Sequence, residues 1–225
     1  MQGLLDTLRL LLQGELLQIM GVTMIMSFFS TTLSSLIGIP LGILLGSRDF
    51  RMKKFLMRLV HTLMGVPPVV AGLLVFLLLS RRGALGSLQL LFTVQAMVIA
   101  QVLLITPIVI ALTASAARAR AEALIETTRG LGVKRGRELL LILNECRSQL
   151  VSIVLTGFGR SIAEVGAVST VGGNIAFKTR VMTTAIMLET NKGNFELAIA
   201  LGGMLLIIAF VVNVIAQRFS EDQYA

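Results

Sequence analysis

Apolar residues in this chain form long unbroken runs, separated by short stretches that carry nearly all the charge. Positions 19–46 hold no charged side chain. A helix crosses the hydrocarbon layer in about 20 residues, so this run predicts a first membrane span with length to spare. Further spans are predicted over 59–80, bounded by Arg58 and the Arg81-Arg82 pair, over 88–117, and over 196–217. The third run is long enough to tilt or to project beyond the bilayer. The run 150–173 is apolar in bulk but contains Arg160 and Glu164. It reads as a fifth span lined by other helices, because a lipid-facing arginine at mid-depth is costly. The pattern predicts an all-α polytopic protein of about five crossings, with one membrane domain over 19–217.

The head of the chain differs. Leu4, Leu5, Leu8, Leu11, Leu12 and Leu16 recur near the helical period, with Asp6, Gln13 and Glu15 off that stripe. Residues 1–18 therefore read as an amphipathic helix on the outer interface, or else as an extension of the first span. No cleavable signal is expected, since the apolar stretch after Glu15 is too long for one. All four prolines, Pro40, Pro67, Pro68 and Pro107, fall inside predicted spans. Proline removes a backbone donor and bends a helix, so the run Gly65-Val66-Pro67-Pro68 predicts the sharpest break. A packing kink explains it; a gating hinge at Pro67 and Pro68 is the functional alternative.

Charge sets the orientation, because Lys and Arg gather in cytoplasmic loops. The loop after the first span carries Arg48, Arg51, Lys53, Lys54 and Arg58; the one after the third carries Arg118, Arg120, Arg129, Lys134, Arg135, Arg137 and Arg147. These two loops lie two crossings apart and share a side, the cytoplasm. The opposite side has Arg9, Arg81, Arg82, Lys178, Arg180 and Lys192. The N terminus is thus expected outside and the tail 218–225 inside, with an outer loop over 174–195.

Composition narrows the function classes. The chain is 55% hydrophobic and only 14% charged, with a mean hydropathy of +0.87, where soluble domains carry about a quarter charged residues. A net charge of +8 raises the question of nucleic acid. Trp is absent, however, Tyr occurs once, and the basic residues sit between apolar runs, so no nucleic-acid partner is expected. One cysteine and one histidine build neither a disulfide nor a metal site. The clustered His, Asp and Glu of a membrane enzyme are missing. His61 and Cys146 read as packing residues. The stretch 172–179 approaches a phosphate-cradling loop, but Phe177 takes the place of its second glycine and the orientation puts it outside.

The most informative stretch is 118–147. It is long for a membrane connection and helical in pattern, with Ala119, Ala121, Ala123 and Leu124 favouring a helix, Gly130 and Gly132 interrupting it, and an apolar helix resuming near Leu139. Such a rigid positive knob in the cytoplasm serves no pore by itself, but it suits a partner that pushes on one.

Within it, Glu126-Thr127-Thr128-Arg129-Gly130-Leu131-Gly132 resembles the EAA loop in membrane subunits of bacterial ATP-binding-cassette importers. The resemblance implies that this loop, with Val133 and Arg135, docks in a groove of a cytoplasmic ATPase. The Leu-Pro that closes the family pattern is replaced here by Asn144-Glu145. A second run, from Gly157-Phe158-Gly159-Arg160-Ser161-Ile162-Ala163-Glu164 through Val165-Gly166-Ala167-Val168 to Val171-Gly172-Gly173-Asn174-Ile175, is similar to the oxyanion-importing branch of that family, and within it to tungstate importers. The resemblance implies a type I (MetI-like) permease fold, partner ATPases that bind the ATP and Mg, and an extracytoplasmic binding protein that lands near 178–191. Tungstate is the first expected cargo, then molybdate, then sulfate.

Arg160 and Glu164 stand one helical turn apart and can pair on one face. Either they fix helix register, or Arg160 shapes the electrostatics of an anion pathway while Glu164 keeps the anion from sticking. Ser161, Gly166, Thr170 and Asn174 complete the expected pathway set. The small residues here permit close helix approach, which suits a twofold axis between two copies of the chain. The expectation is thus a non-catalytic permease subunit that forms a homodimer, binds two ATPase subunits and carries no cofactor or metal of its own. A self-contained anion channel or secondary transporter is the alternative.

Overall fold

In the computed structural model, residues 14–130 and 135–221 are described, without the side chains of 122–123, 125–130, 135–136, 216 and 219–221. Among the described residues every regular element is helical: α1 Glu15–Ser47, α2 Lys53–Met64, α3 Pro68–Leu79, a 3-10 turn at Gly86–Leu88, α4 Val94–Gly130, α5 Arg135–Glu145, α6 Arg147–Ile162, α7 Gly166–Gly172, α8 Met182–Asn191 and α9 Phe195–Glu221. Three helices are long and apolar enough to cross a membrane, α1, α4 and α9, and the count reaches 5 if each of two bent pairs is one span.

α1 and α4 run parallel in register. Ser30 bonds Gln101, and a side chain added at Gly38, Gly42 or Gly46 meets Val109, Thr113 or Ala117, partners that are each 71 positions further along. The buried stripe of α1 is rich in small residues, Thr23, Ser27, Ser30, Thr31, Ser34 and Ser35 followed by Gly38, Gly42 and Gly46, and it lets the two backbones close on each other. Gly42 shows the need: a Cβ there lies 2.5 Å from the Thr113 Cβ and 2.9 Å from the Ile110 carbonyl oxygen. Pro40 and Pro107 sit inside these helices without ending them.

The chain differs from the sequence reading at four places. The region 59–80 is not one straight span: α2 and α3 meet at 99° across Gly65–Pro67, and each, at 12 residues, is about 18 Å long, too short to cross alone. The run 150–173 is likewise two helices, α6 and α7, broken at 163–165. The third span and the helix expected after it are one uninterrupted helix, α4, as far as Gly130, because the alanine-rich run after Ala117 offers neither glycine nor proline to separate them. Residues 15–18 belong to the first helix, while 1–13 lie outside the described residues. Behind α1 and α4, α9 packs on α6 and α8.

Candidate translocation pathway

The two broken spans meet at their breaks. α7 restarts at Gly166 directly against the restart of α3, where a Cβ on Gly166 falls 2.9 Å from Val69 Cγ2 and 3.3 Å from the Val69 nitrogen. One turn on, a Cβ added to Gly72 would fall 2.7 Å from the Ala167 Cα. Pro67 and Pro68 therefore stand beside the α6–α7 break, and Pro67 lends its carbonyl to the amides of Val70 and Ala71.

Next to this junction the Arg160 guanidinium meets the Glu164 carboxylate at 3.0 Å. The pair is lopsided, with the Arg160 side chain 42% exposed and that of Glu164 5%. Glu164 also accepts from the Ala167 amide at 3.3 Å, and its carbonyl accepts from the Thr183 hydroxyl at 2.8 Å. The carboxylate thus closes the start of α7, while the backbone of the same residue is tied to α8. A buried carboxylate held by two donors is fixed; the arginine, bonded to it through Nη1, keeps an exposed edge.

Ser161 faces away from Arg160 into a buried polar hub. Gln101 Oε1 accepts from the hydroxyls of Ser30 and Ser161 at 2.6 Å each, its Nε2 donates to the Ser161 carbonyl at 2.8 Å, and the two hydroxyls lie 2.9 Å apart. The hub joins α1, α4 and the end of α6. Ser30 sits midway along α1, so Arg160 is well inside the apolar zone. Sequence reading missed Gln101 and Ser30. The signal available was an amide in an otherwise apolar run, which at membrane depth demands partners.

The other expected pathway residues separate. Thr170 donates its hydroxyl to the Gly166 carbonyl within α7. Asn174 lies past the end of α7 in a left-handed conformation (φ 49°), with its amide 3.4 Å from the Thr184 carbonyl. The break thus gathers Arg160, Ser161, Glu164 and Gly166, with Thr170 one turn on and Asn174 at the far end of α7. The segment 178–191, expected as a landing area, turns partly inward: Val181, Met182 and Ala185 are buried, and the Met182 amide donates to the Thr23 hydroxyl.

At the opposite end, Glu126, Thr127, Thr128, Arg129 and Gly130 fall on the last turns of α4. Their side chains, all of Leu131, Gly132, Val133 and Lys134, and the side chain of Arg135 lie outside the described residues. α4 has 37 residues, or about 55 Å at 1.5 Å per residue, against a hydrocarbon layer of about 30 Å. Just past its apolar part, Arg120 donates to the carbonyl and the carboxylate of Glu145, both at 3.0 Å. The corner there, where α6 leaves Arg137–Glu145 at 68°, is thereby fastened to α4. Among the described residues no group of three His, Cys, Asp or Glu is placed to hold a metal.

Residues 38–222 match the model of the family described as binding-protein-dependent transport system inner membrane component. The chain is 40% identical to the tungstate uptake system permease protein TupB of Peptoclostridium acidaminophilum, over 91% of this chain and 90% of that one. It is 39% identical to a probable anion ABC transporter permease protein of Haloferax volcanii, over 92% and 91%. To the sulfate transport system permease protein CysT of Escherichia coli the identity is 25%, over 89% and 76%.

Proposed function

The chain belongs to the family of binding-protein-dependent transport system inner membrane components, and on that premise we propose that it is the permease of an ATP-driven importer for tetrahedral oxyanions, tungstate foremost. The observation that carries this reading is the length of α4. One helix leads from the Gln101 hub to the segment that resembles an ATPase-docking loop. Movement imposed on that end reaches the hub along the helix, and reaches α6 through the Arg120–Glu145 bonds. α6 carries Ser161 and Arg160, and Ser161 bonds Gln101 of α4, so a push in the cytoplasm arrives at the break.

Arg160 supplies the anion-facing charge. A partly exposed guanidinium at this depth is untenable against lipid, so its free edge faces a route for water and anions, closed by a second copy of the chain. Glu164 offsets that charge, so that a passing dianion is attracted without being trapped. The N terminus lies outside, where the outer loop meets a binding protein. ATP and Mg are bound by two partner ATPase subunits, and this chain hydrolyses nothing. ATP binding moves the 126–137 segment and opens the route outward; hydrolysis resets it.

The test is uptake of tungstate into proteoliposomes that hold this chain, its ATPase and its binding protein. Replacing 129–137 with a short polar linker is expected to abolish co-purification of the ATPase and ATP-dependent uptake together. Uptake that survives this replacement, or proceeds without ATP, defeats the reading in favour of a self-contained channel.

A further inference from the structure

At the end of the molecule opposite the docking segment there is a second polar site, unrelated to the break. The start of α1 (Glu15, Leu16, Ile19), Arg180, the body of α8 with Lys192 and Asn194, and the first turns of α9 (Leu197, Leu201) enclose a cavity of about 250 Å³. Its rim is charged and its floor is apolar. On the rim, Arg180 Nη1 meets Glu15 at 2.8 Å and Lys192 meets Glu189 at 2.7 Å. Asn194 donates to the other Glu189 oxygen at 3.1 Å. On the floor, Leu16, Ile19 and Leu201 are buried. From Asn194 to Leu201 the chain descends about 10 Å along α9, the depth over which a bilayer passes from headgroups to acyl chains. Beyond the floor the exposed face of α9 continues as a greasy track, with Ile199, Leu206 and Phe210 each more than two-thirds exposed.

One donor on this rim has nothing to do. The Nε–H of Arg180 is buried and bonds no acceptor among the described residues. A buried guanidinium donor left unpaired is expensive, and a turn of the Arg180 side chain toward an acceptor oxygen seated in the cavity relieves it. Charge then selects the acceptor's owner. Two cations alternate with two carboxylates, so the rim sums to zero. A free dianionic oxyanion meets Glu15 or Glu189 beside either cation and is repelled as much as it is attracted. A zwitterion carrying phosphate and ammonium a few ångströms apart satisfies both signs.

We propose that this cavity binds the headgroup of a phosphoethanolamine lipid, with its phosphate on Arg180 Nε and Lys192 and its ammonium toward the Glu15 and Glu189 carboxylates. The acyl chains follow α9. A primary ammonium donates three hydrogen bonds, whereas a choline headgroup donates none and a phosphoglycerol headgroup brings no cation. The proposal needs only that the chain is embedded in a bilayer, and it is independent of which anion is carried.

The experiment is native mass spectrometry of the full-length chain, released from nanodiscs that contain equal amounts of phosphatidylethanolamine, phosphatidylcholine and phosphatidylglycerol with matched acyl chains. Phosphatidylethanolamine is expected to be retained about tenfold over either competitor, the worth of one charge-assisted hydrogen bond. Arg180→Gln should erase that preference, and so should Leu197→Trp, which fills the cavity from a half-buried position without touching the charges. Equal retention of the three lipids, or a preference that persists in both variants, overturns the proposal. So does displacement of the lipid by millimolar inorganic phosphate or tungstate, which assigns the site to free anions. Loss of ATP-driven uptake in the linker experiment leaves this result unaffected, so the two ideas fail separately.

Discussion

The two sides of the bundle are built on opposite rules. On one, α1 and α4 lie parallel, unbroken, and matched residue for residue from Ser30–Gln101 to Gly46–Ala117. On the other, the helices are interrupted, at 65–67 between α2 and α3 and at 163–165 between α6 and α7, and the restarts of α3 and α7 rest on one another. Continuous helices satisfy their own backbone groups and need only close packing. Interrupted ones expose amides and carbonyls at depth, which is tolerated only inside protein or beside a wet cavity. The seam is therefore a frame, and the broken side is where a route for a charged solute can run.

The contrast breaks most sharply at glycine. Gly42→Val drives a branched side chain into Thr113 and the Ile110 carbonyl, and overpacking of this kind costs about 3 kcal/mol. The expected result is loss of monodisperse protein in detergent, read by size-exclusion chromatography. On the broken side Gly159 has nothing within 4 Å of an added Cβ. Gly159→Ala is expected to leave thermal stability within about 0.5 kcal/mol of wild type. Reduced uptake at unchanged stability places that face along the route. A stability loss equal to that of the seam variant contradicts the division of the molecule into frame and route.

Next in size is the hub between the two sides. Gln101→Leu keeps the volume and removes three hydrogen bonds, but the Ser30 and Ser161 hydroxyls are 2.9 Å apart and can bond each other. Polar contacts between membrane helices are worth about 0.6 kcal/mol on average and under about 2 at most. A destabilisation of about 1–2 kcal/mol is expected by thermal shift, with ATP hydrolysis by the partner less well coupled to uptake, since the hub ties α4 to Arg160.

Glu164→Gln is smaller still in stability and larger in function. The amide can still accept from the Ala167 nitrogen, so α7 keeps its start. Arg160 is 42% exposed, and screening limits the lost attraction to about 1 kcal/mol. Freed of its counter-charge, Arg160 holds the passing anion longer. Uptake should slow while half-saturation shifts to lower tungstate, and a proportional fall in both uptake and stability points to a register-fixing pair instead.

How much of this was legible beforehand follows from what each feature depends on. The runs 19–46 and 196–217 declare themselves, because apolar content alone makes a membrane helix. Pro67 and Pro68 announced a break, but not its 99°; across the bundle Gly72 packs on Ala167 and Gly166 on Val69, contacts nearly a hundred positions apart that local sequence does not display. The spacing of Arg160 and Glu164 foretold their pairing, but not their unequal exposure. Gln101 was overlooked because its partners, Ser30 and Ser161, are 71 and 60 positions away. The inward turn of Val181 and Met182 escaped notice since an amphipathic stripe does not say whether it faces lipid, partner or core.

The smallest effect belongs to the loop that leaves the seam. Lys53 donates to the Asp49 carboxylate at 2.9 Å, and the Asp49 side chain is 97% exposed. The hydrogen bond from Lys53, helped by its charge, holds the Asp49 carboxyl below its ordinary value. A depressed acid stabilises the fold above its unfolded-state value, and this contribution disappears as pH falls through the still lower folded value. Water and salt screen the pair almost completely. Asp49→Asn should therefore move the melting temperature by no more than about 1 °C at pH 7 and low salt. The difference should vanish at high salt, and again in acid strong enough to protonate the wild-type carboxyl. Scanning calorimetry of the detergent-solubilised chain under those three conditions checks it. A fall as large as that of Gln101→Leu extends the frame past Ser47 into the loop before α2, and the boundary between rigid seam and movable side then shifts to α2.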